Sequence, residues 1–435
     1  MNRKKILIIT YIVPYPADAG GKISIFGTIN YLRLYLDITL VVSTYNKADE
    51  DNVALLGSLW PEVSIKTVDY YKKKSLPHKI LSPIYKLTSV TIAKLKNLIL
   101  QRPLDNGQDK MNFFPFYPVD IIFITFLEKL FSKNNYDIIQ VEYTTLLSLI
   151  HILPANSVKV FVQIENRYSI IQDFFLKNKN NSLYSDYIVE NARYTELSLM
   201  NKYDYIVALN KNDKDNLGKY INKEKIEVAP FPILDSLSAV DDQLKFSKNQ
   251  VNKLIFLGPQ AHFPNQDAVS WFAEEMYEQI YARYKLKLYV TGKWSKNFIK
   301  KHPNIIFTGY VDNLADIIKN SIVISPIRLG GGGIRAKVLQ AMAMRVPLIS
   351  TSLGSEGIED LQNHVNIYLA DDKMQFINAI ENIIENEIKT NSIIDNAYEL
   401  IQKYYTEKSV GEIRKHMYNK FLLTELNKNK FKNKP

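Results

Sequence analysis

The chain has 435 residues, of which 46% are apolar and 23% charged, a balance that excludes a disordered or fibrous protein. Its length exceeds that of one ordinary hydrophobic core and predicts two to three domains. It contains no cysteine, which excludes disulfides and thiolate metal sites and fits a reducing, cytoplasmic compartment. The net charge is +10, but the lysines are scattered and no nucleic-acid-binding motif stands out, so we expect no nucleic-acid partner.

The first residues combine a basic start with the apolar run 6–13, a pattern that superficially resembles a secretory signal. This run is short and enters residues 14–21 without a cleavage-like site, so we interpret it as a first buried strand. No run approaches the roughly 18 apolar residues of a membrane span. We therefore expect a protein that does not cross a membrane.

Short β-rich runs alternate with helical segments along the chain, which is the pattern of parallel α/β architecture. The strands predicted in the first half are Lys5–Thr10, Ile38–Thr44, Ser64–Val68, Tyr136–Val141, Val158–Ile164, Tyr205–Leu209 and Ile226–Ala229. Those in the second half are Lys253–Gly258, Lys287–Thr291, Asn304–Thr308, Ile322–Ser325, Pro347–Ser350 and Val365–Leu369. The predicted helices include Val119–Lys133, Tyr184–Lys202, Gln266–Tyr284, Lys373–Glu385, Ile393–Tyr405 and Val410–Glu425.

A polar stretch, Pro230–Asn252, interrupts this alternation and is interpreted as an interdomain linker. We therefore predict one domain over residues 1–235 and a second over residues 251–405. Each would present its site at the carboxyl ends of its strands, so that the two domains build one cleft. The tail 427–435 is rich in Lys and Asn and is expected to be disordered.

The segment from Ser325 to Pro347 runs from a predicted strand through the four glycines 330–333 into a predicted helix. Four glycines allow the backbone to approach a ligand closely. The helix behind them offers unpaired N–H groups and a positive dipole end, which together favour an anion. Arg335 and Lys337 add positive charge in its first turn, although the spacing matches neither a P-loop nor a dinucleotide fingerprint. The segment predicts a phosphate site, and a flexible glycine turn is the alternative.

Two other patterns bear on metals. An Asp-x-Asp pattern occurs at Asp213 and Asp215, but it follows Asn210 at a predicted helix start, where acidic residues stabilise the helix N-terminus. The histidines His262, His302 and His364 lack metal-ligand spacing. We therefore expect no metal site and no cofactor.

A basic stretch, Lys72–Lys74 with His78 and Lys79, precedes the apolar segment Ile80–Leu100. Such a segment could form an amphipathic surface that rests on an anionic membrane holding a lipid-linked acceptor. The alternative is an ordinary domain-covering helix with a solvated lysine face.

The glycine-rich segment resembles the signature of the retaining GT-B glycosyltransferases, the "glycosyl transferases group 1" family (family 4-like). In the subgroup that it resembles, Gly-Gly-Gly-x-Arg-x-Lys precedes a helix and a Pro-led strand. Other similar segments are Pro14–Lys22, Gly258–Phe272, Val290–Gly292, Phe307–Val311 and Thr351–Ile358. The resemblance implies the GT-B fold, with two Rossmann-like domains facing across a cleft. It also implies C-terminal helices, residues 406–426 among them, that cross back to the first domain.

The resemblance implies a role for individual residues. Arg335 and Lys337 would be the catalytic cations, which stabilise the departing nucleoside diphosphate in place of a metal. Tyr310 and Val311 would lie beside the base, and Gln340 would hold the ribose where the family carries a glutamate. The further donor-binding positions are Gly258, Gly331, Gly332, Gly333 and Ile334. The acceptor-side positions are Gly20, Gly21, Lys22, Glu142, Glu165 and Arg167.

The sequence departs from the family pattern at two places. Val162–Glu165 stands where the family often has His-Asp-x-Glu, and no Arg-x(4–5)-Lys pair follows Gly258. We predict an enzyme that transfers a hexose-type sugar, with retention, from a nucleotide sugar to a glycan or lipid-linked acceptor of a surface polysaccharide. Its predicted location is the cytoplasm or the inner face of the plasma membrane. The alternatives are a non-catalytic donor-binding subunit of a polysaccharide assembly and a GT-B sugar-nucleotide epimerase.

Overall fold

A computed structural model of the chain describes residues 3–71, 118–177, 182–238, 246–311, 313–330 and 332–432. The basic and apolar segment proposed above to rest on a membrane, residues 72–100, lies outside the described residues, as does Gly331. None of the described helices combines the length and the apolar character that crossing a membrane requires.

Seven parallel strands form the first sheet, in the order β3-β2-β1-β4-β5-β6-β7. Helices cover both faces of the sheet, so its central strands are almost continuously apolar and buried, as in Ile6–Ile9. The strands are β1 Lys5–Ile9, β2 Asp37–Thr44, β3 Ser64–Asp69, β4 Ile138–Glu142, β5 Val158–Gln163, β6 Tyr205–Ala208 and β7 Ile226–Val228. The helices are α1 Gly20–Leu32, α2 Lys47–Leu59, α3 Ile121–Phe131, α4 Arg167–Lys177, α5 Leu183–Met200, α6 Lys211–Leu217 and α7 Asp235–Ser238.

Six parallel strands form the second sheet, in the order β10-β9-β8-β11-β12-β13. They are β8 Lys253–Phe256, β9 Lys287–Thr291, β10 Ile306–Gly309, β11 Ser321–Ser325, β12 Leu348–Ser350 and β13 Tyr368–Leu369. The helices are α8 Phe263–Phe272, α9 Glu278–Tyr284, α10 Lys296–Lys301, α11 Leu314–Ile318, α12 Ala336–Ala343, α13 Lys373–Glu385, α14 Glu387–Tyr404 and α15 Glu407–Lys432. A π-helical turn, Ala273–Tyr277, joins α8 to α9.

In each sheet the strand order reverses once. The reversal lies between β1 and β4 in the first sheet and between β8 and β11 in the second. Ligands of open parallel sheets bind in the crevice outside the carboxyl ends of the strands at such a reversal. The two crevices belong to two Rossmann-like domains, and contacts described below show that they face each other. The predicted fold class is confirmed.

The last helix, α15, crosses from the second domain to the first, as the fold prediction requires. Phe421 stacks on Tyr205 of β6 with ring centroids 3.9 Å apart. Gly411 lies so close to the ring of Tyr31 in α1 that a Cβ atom would overlap it. The helix continues to Lys432, although the tail was expected to be disordered from residue 427. Adding polar residues to a helix that is already formed avoids the cost of nucleation, and composition alone does not reveal this.

We expect the contact of α15 to contribute strongly to stability. Phe421 is fully buried, so Phe421→Ala should lower the free energy of unfolding by about 3 kcal/mol or more. Leu423 lies on the same helix and is 63% exposed, so Leu423→Ala should change it by less than about 0.5 kcal/mol. Thermal denaturation of the two variants compares them directly. Equal melting temperatures would show that α15 does not hold the first domain.

Candidate functional site

The first helices of the two crevices meet at the cleft. A Cβ atom added to Gly20, at the start of α1, would lie 3.2 Å from Cβ of Ala336, at the start of α12. Two helix N-termini, each carrying unpaired N–H groups and partial positive charge, therefore converge on the same space. Lys22 does not add a free charge there, because its Nζ lies 2.9 Å from Oδ1 of Asp18.

Lys337 projects from the first turn of α12 into this space. Its Nζ donates a 2.6 Å hydrogen bond to Oδ1 of Asn265 and lies 4.2 Å from the centroid of the Phe256 ring. A Cβ atom on Gly258 would lie 3.3 Å from the same Nζ, which places the Gly258 loop beside it. Burial, and secondarily the charge of Arg335, lowers the pKa of Lys337 to about 7. Among the residues that the structure describes, no carboxylate forms an ion pair with this ammonium, and an anionic ligand would supply the compensating charge.

Arg335 presents unsatisfied donors to the cleft. Its Nη1 donates to the carbonyl oxygen of Gly332 at 2.6 Å, while Nε and Nη2 are buried without a hydrogen-bond partner among the described residues. Burial lowers the pKa of Arg335, and the surrounding carboxylates oppose this shift. A buried guanidinium group with unused N–H donors fits a ligand that brings its own acceptor oxygens, such as a phosphate.

Glu165 and Arg167 approach Arg335 from the first domain, where they follow the end of β5. Nη1 of Arg167 lies 3.7 Å from Oε1 of Glu165. Burial raises the pKa of Glu165, and the positive charges of Arg167 and Arg335 lower it. The rings of Tyr11 and Tyr143 are paired, with centroids 4.8 Å apart. Burial, and then the charge of Glu165, raises the pKa of the Tyr11 hydroxyl. Burial is also the main cause of the raised pKa of Tyr143, to which Glu165 adds a smaller contribution. Gly21 packs against the Tyr143 hydroxyl. These predicted acceptor-side residues thus share the cleft with the predicted cations.

Glu142 does not lie in the cleft, although it was predicted to be an acceptor-side residue. It lies at the end of β4 on the same face as Gln140, whose Nε2 donates to it at 2.6 Å. That face is covered by α15, where Tyr418 donates to Gln140 and Arg414 is buried nearby. Burial raises the pKa of Glu142 to about 7, and the charge of Arg414 opposes the shift. The carboxylate therefore belongs to the packing of α15 on the first sheet.

The other predicted donor residues belong to the second domain and differ in exposure. Tyr310 follows β10 and is 59% exposed, and its hydroxyl donates to Oδ2 of Asp18 across the cleft at 3.1 Å. Val311 is next to it and half-buried. Gln340 is also half-buried and lies about one helical turn beyond Lys337 on α12. Ile334 is 8% exposed and packs in the core.

The glycine-rich loop itself lies against the first domain. The amide of Gly330 donates to Oδ2 of Asp173 at 2.9 Å, and the amide of Gly333 donates to Oδ2 of Asp213 at 2.9 Å. Gly333 was predicted to bind the donor phosphates. In the structure, first-domain carboxylates accept both hydrogen bonds.

Sequence reasoning assigned no role to two residues of this site, Asn265 and His262. Asn265 is 3% exposed and accepts a hydrogen bond from Lys337. It lies in the segment Gly258–Phe272, which resembles the family, but residue spacing could not reveal this hydrogen bond. Although His262 retains an exposed surface, desolvation in the cleft, and then the charges of Lys337 and Arg335, lowers the pKa of its imidazole to about 4.

The Asp-x-Asp pattern does not form a joint site. Asp213 accepts from Gly333, whereas Asp215 pairs with Lys223 at 3.1 Å. Within the part of the chain that the structure describes, no group of three or more His, Cys, Asp or Glu side chains is arranged to hold a metal ion.

The fold and the site define a GT-B protein with a phosphate-compatible cleft. Residues 251–386 match the model of the family described as Glycosyl transferases group 1, so the second domain is a glycosyltransferase domain. The chain is also 21% identical over 427 residues to an uncharacterized 44.6 kDa protein in the cps region of Klebsiella pneumoniae. That alignment covers 93% of this chain and 97% of the relative.

Several solved glycosyltransferases share the fold over nearly the whole chain. Sucrose-phosphate synthase of Thermosynechococcus elongatus matches with a TM-score of 0.67 at 13% identity, covering 97% of this chain and all of that one. TarM of S. aureus matches with a TM-score of 0.65 at 13% identity, covering 96% and 99% of the two chains. Anabaena HepE, in complex with UDP and glucose, matches with a TM-score of 0.60 at 12% identity, covering 96% and 100%. These likenesses confirm the predicted fold. The match of residues 251–386 to the family model supports the predicted glycosyltransferase class.

Proposed function

We propose that the protein transfers a sugar from a nucleotide-sugar donor to a glycan or lipid-linked acceptor of a cell-surface polysaccharide, with retention of anomeric configuration. The observation that carries the proposal is the convergence of Arg335, Lys337 and two helix N-termini on one interdomain space. The UDP and glucose bound by HepE and the cps-region location of the Klebsiella relative support it.

The proposed chemistry depends on charge stabilisation at the leaving group. As the bond between the anomeric carbon and the phosphate oxygen breaks, negative charge develops on the departing diphosphate. The buried Nε and Nη2 of Arg335, the Lys337 ammonium and the α12 N-terminus would stabilise that charge without a metal. The acceptor hydroxyl would attack from the leaving-group face, and its proton would pass to the departing phosphate oxygen. Glu165 and Arg167 would orient the acceptor by hydrogen bonding.

The remaining donor contacts follow from the arrangement along the second domain. Tyr310 and Val311 would border the base, and the amide of Gln340 would bind the ribose hydroxyls, because an amide can both donate and accept. We place the reaction in the cytoplasm or at the inner face of the plasma membrane. The chain's lack of cysteine agrees with a reducing compartment.

Donor binding and hydrolysis test the proposal. We expect one family of nucleotide sugars, with UDP-sugars tested first, to raise the melting temperature of the purified protein and to be hydrolysed slowly without acceptor. Hydrolysis should persist after treatment with EDTA. Activity that disappears on chelation and returns with Mn²⁺ or Mg²⁺ would contradict metal independence. Donor binding without turnover on any acceptor would instead favour the non-catalytic donor-binding subunit.

A further inference from the structure

The glycine-rich loop is one of the places where the second domain contacts the first. Asp173 on α4 and Asp213 on α6 accept hydrogen bonds from the amides of Gly330 and Gly333. Asn210 adds a third contact, because its Nδ2 donates to the carbonyl oxygen of Gly333 at 3.2 Å. Three first-domain side chains thus bind the backbone of one second-domain loop.

Asp213 is held rigidly for this contact. Its side chain is 4% exposed, and its carboxylate also accepts a 2.7 Å hydrogen bond from Nδ2 of Asn210. The backbone amide of Asp213 in turn donates to Oδ1 of Asn210, the N-cap of α6. The carboxylate is therefore fixed by its own domain, and the loop of the other domain docks on it.

The loop also fits closely against the first domain at Gly332 and Gly333. Gly332 has a φ of +79°, and a Cβ atom there would overlap the Asp213 carboxylate and lie 2.8 Å from Nδ2 of Asn166. Gly333 has a φ of +76°, and a Cβ atom there would lie 2.6 Å from the carbonyl oxygen of Ile164. Both positions need glycine because first-domain atoms fill the space that a side chain would occupy.

Arg335 depends on the position of this loop. Its Nη1 donates to the carbonyl oxygen of Gly332, the residue that packs on Asp213. A shift of Gly332 away from Asp213 would therefore shift the guanidinium group that the proposed reaction uses. Transition-state stabilisation is sensitive to such displacements, because the donors must lie where charge develops.

We propose that Asp213, assisted by Asp173, is a positioning residue: it binds the glycine-rich loop across the cleft, holds the two domains closed, and thereby places Arg335 at the donor phosphates. This inference extends the proposed function, and the expected effect on kcat rests on that function. The contacts that hold the cleft closed join residues of this chain, so scattering can test the closure separately from turnover.

The test compares two variants, Asp213→Ala and Asp215→Ala, which each remove one aspartate from α6. In Asp213→Ala the closed state loses its buried acceptor, so small-angle scattering should give a larger radius of gyration than in the wild type. The kcat of donor hydrolysis should fall at least tenfold, as expected for losing a hydrogen bond to a charged group, while the Kd for UDP changes less than about threefold. Asp215→Ala should match the wild type in all three measurements, because Asp215 pairs with Lys223 and is exposed.

A second pair of variants separates closure from backbone strain. Gly309 also has a positive φ, +74°, but a Cβ atom there would meet nothing within 4 Å. Gly332→Ala should open the molecule in scattering, and Gly309→Ala should not, although both carry the same conformational strain. An unchanged radius of gyration in both Asp213→Ala and Gly332→Ala would overturn the proposal, whether or not the protein turns over a sugar donor. Opening with an unchanged kcat would overturn the positioning role.

Discussion

Replacing Arg335 by alanine should lower kcat for sugar transfer by roughly 10² to 10³-fold, the loss expected when a preorganised donor to a developing anion is removed. The physical reason is that Nε and Nη2 of Arg335 are buried and have no hydrogen-bond partner among the described residues, so they are already desolvated and can donate to a phosphate. The donor KM should change less, because the interaction strengthens as the leaving group acquires charge. Steady-state kinetics with a fixed acceptor measures both quantities.

Two further variants show whether the fall in kcat reflects the loss of the Arg335 donors. Arg335→Lys keeps the charge but not the planar set of donors, so it should recover a small part of the activity. Arg345→Ala removes a guanidinium group near the end of the same helix, where it pairs with Asp395, and should leave kcat unchanged. A wild-type kcat in Arg335→Ala would exclude the proposed leaving-group role.

The strands were predictable because their signals are local. Runs such as Ile6–Ile9 and Ile322–Ile324 consist of four and three consecutive apolar residues and are bounded by polar residues. Burial on both sheet faces produces such runs in any parallel sheet, so the sequence alone indicated the architecture. The resemblance to the family was more specific in the second domain than in the first, because the loops of the second domain carry glycines at characteristic positions.

The cleft was predictable only in part, because its contacts join distant residues. Gly330 and Asp173 are 157 residues apart, and Gly333 and Asp213 are 120 apart. No spacing rule relates such pairs, since the relative placement of two domains decides which side chains meet. The same limit explains Glu142: its position at a strand end was correct, but the covering of that face by α15 could not be inferred from β4.

The glycines illustrate how one sequence signal can have two physical causes. Four glycines before two cations indicated a phosphate cradle, since glycine permits close approach to a ligand. In the structure Gly332 and Gly333 accommodate first-domain atoms, while the cations behind them remain available to a ligand. The groups expected to bind the phosphates are therefore Arg335, Lys337 and the N-termini of α1 and α12.

The affinity for a nucleotide-sugar donor should fall about tenfold between pH 6 and pH 8. Burial lowers the pKa of Lys337 to about 7, so the free protein loses the ammonium charge across this range. A bound diphosphate would stabilise the ammonium and raise that pKa, so binding takes up a proton and weakens as the pH rises above 7. The diphosphate bridge of a nucleotide sugar carries no proton that titrates near neutrality, and His262, with a pKa of about 4, stays neutral throughout.

The variant Lys337→Arg tests whether Lys337 causes the pH dependence of donor affinity. Arginine keeps its charge at every pH in the range, so the variant should bind the donor with nearly constant affinity from pH 6 to pH 8. Lys337→Met should bind weakly at every pH, because Asn265 then faces the donor without the cation. Calorimetric titration of the three proteins at pH 6, 7 and 8 makes the comparison. If the wild type and Lys337→Arg weaken in parallel, another group titrates, and the carboxyl of Glu165, whose pKa burial raises, is the nearest candidate in the cleft.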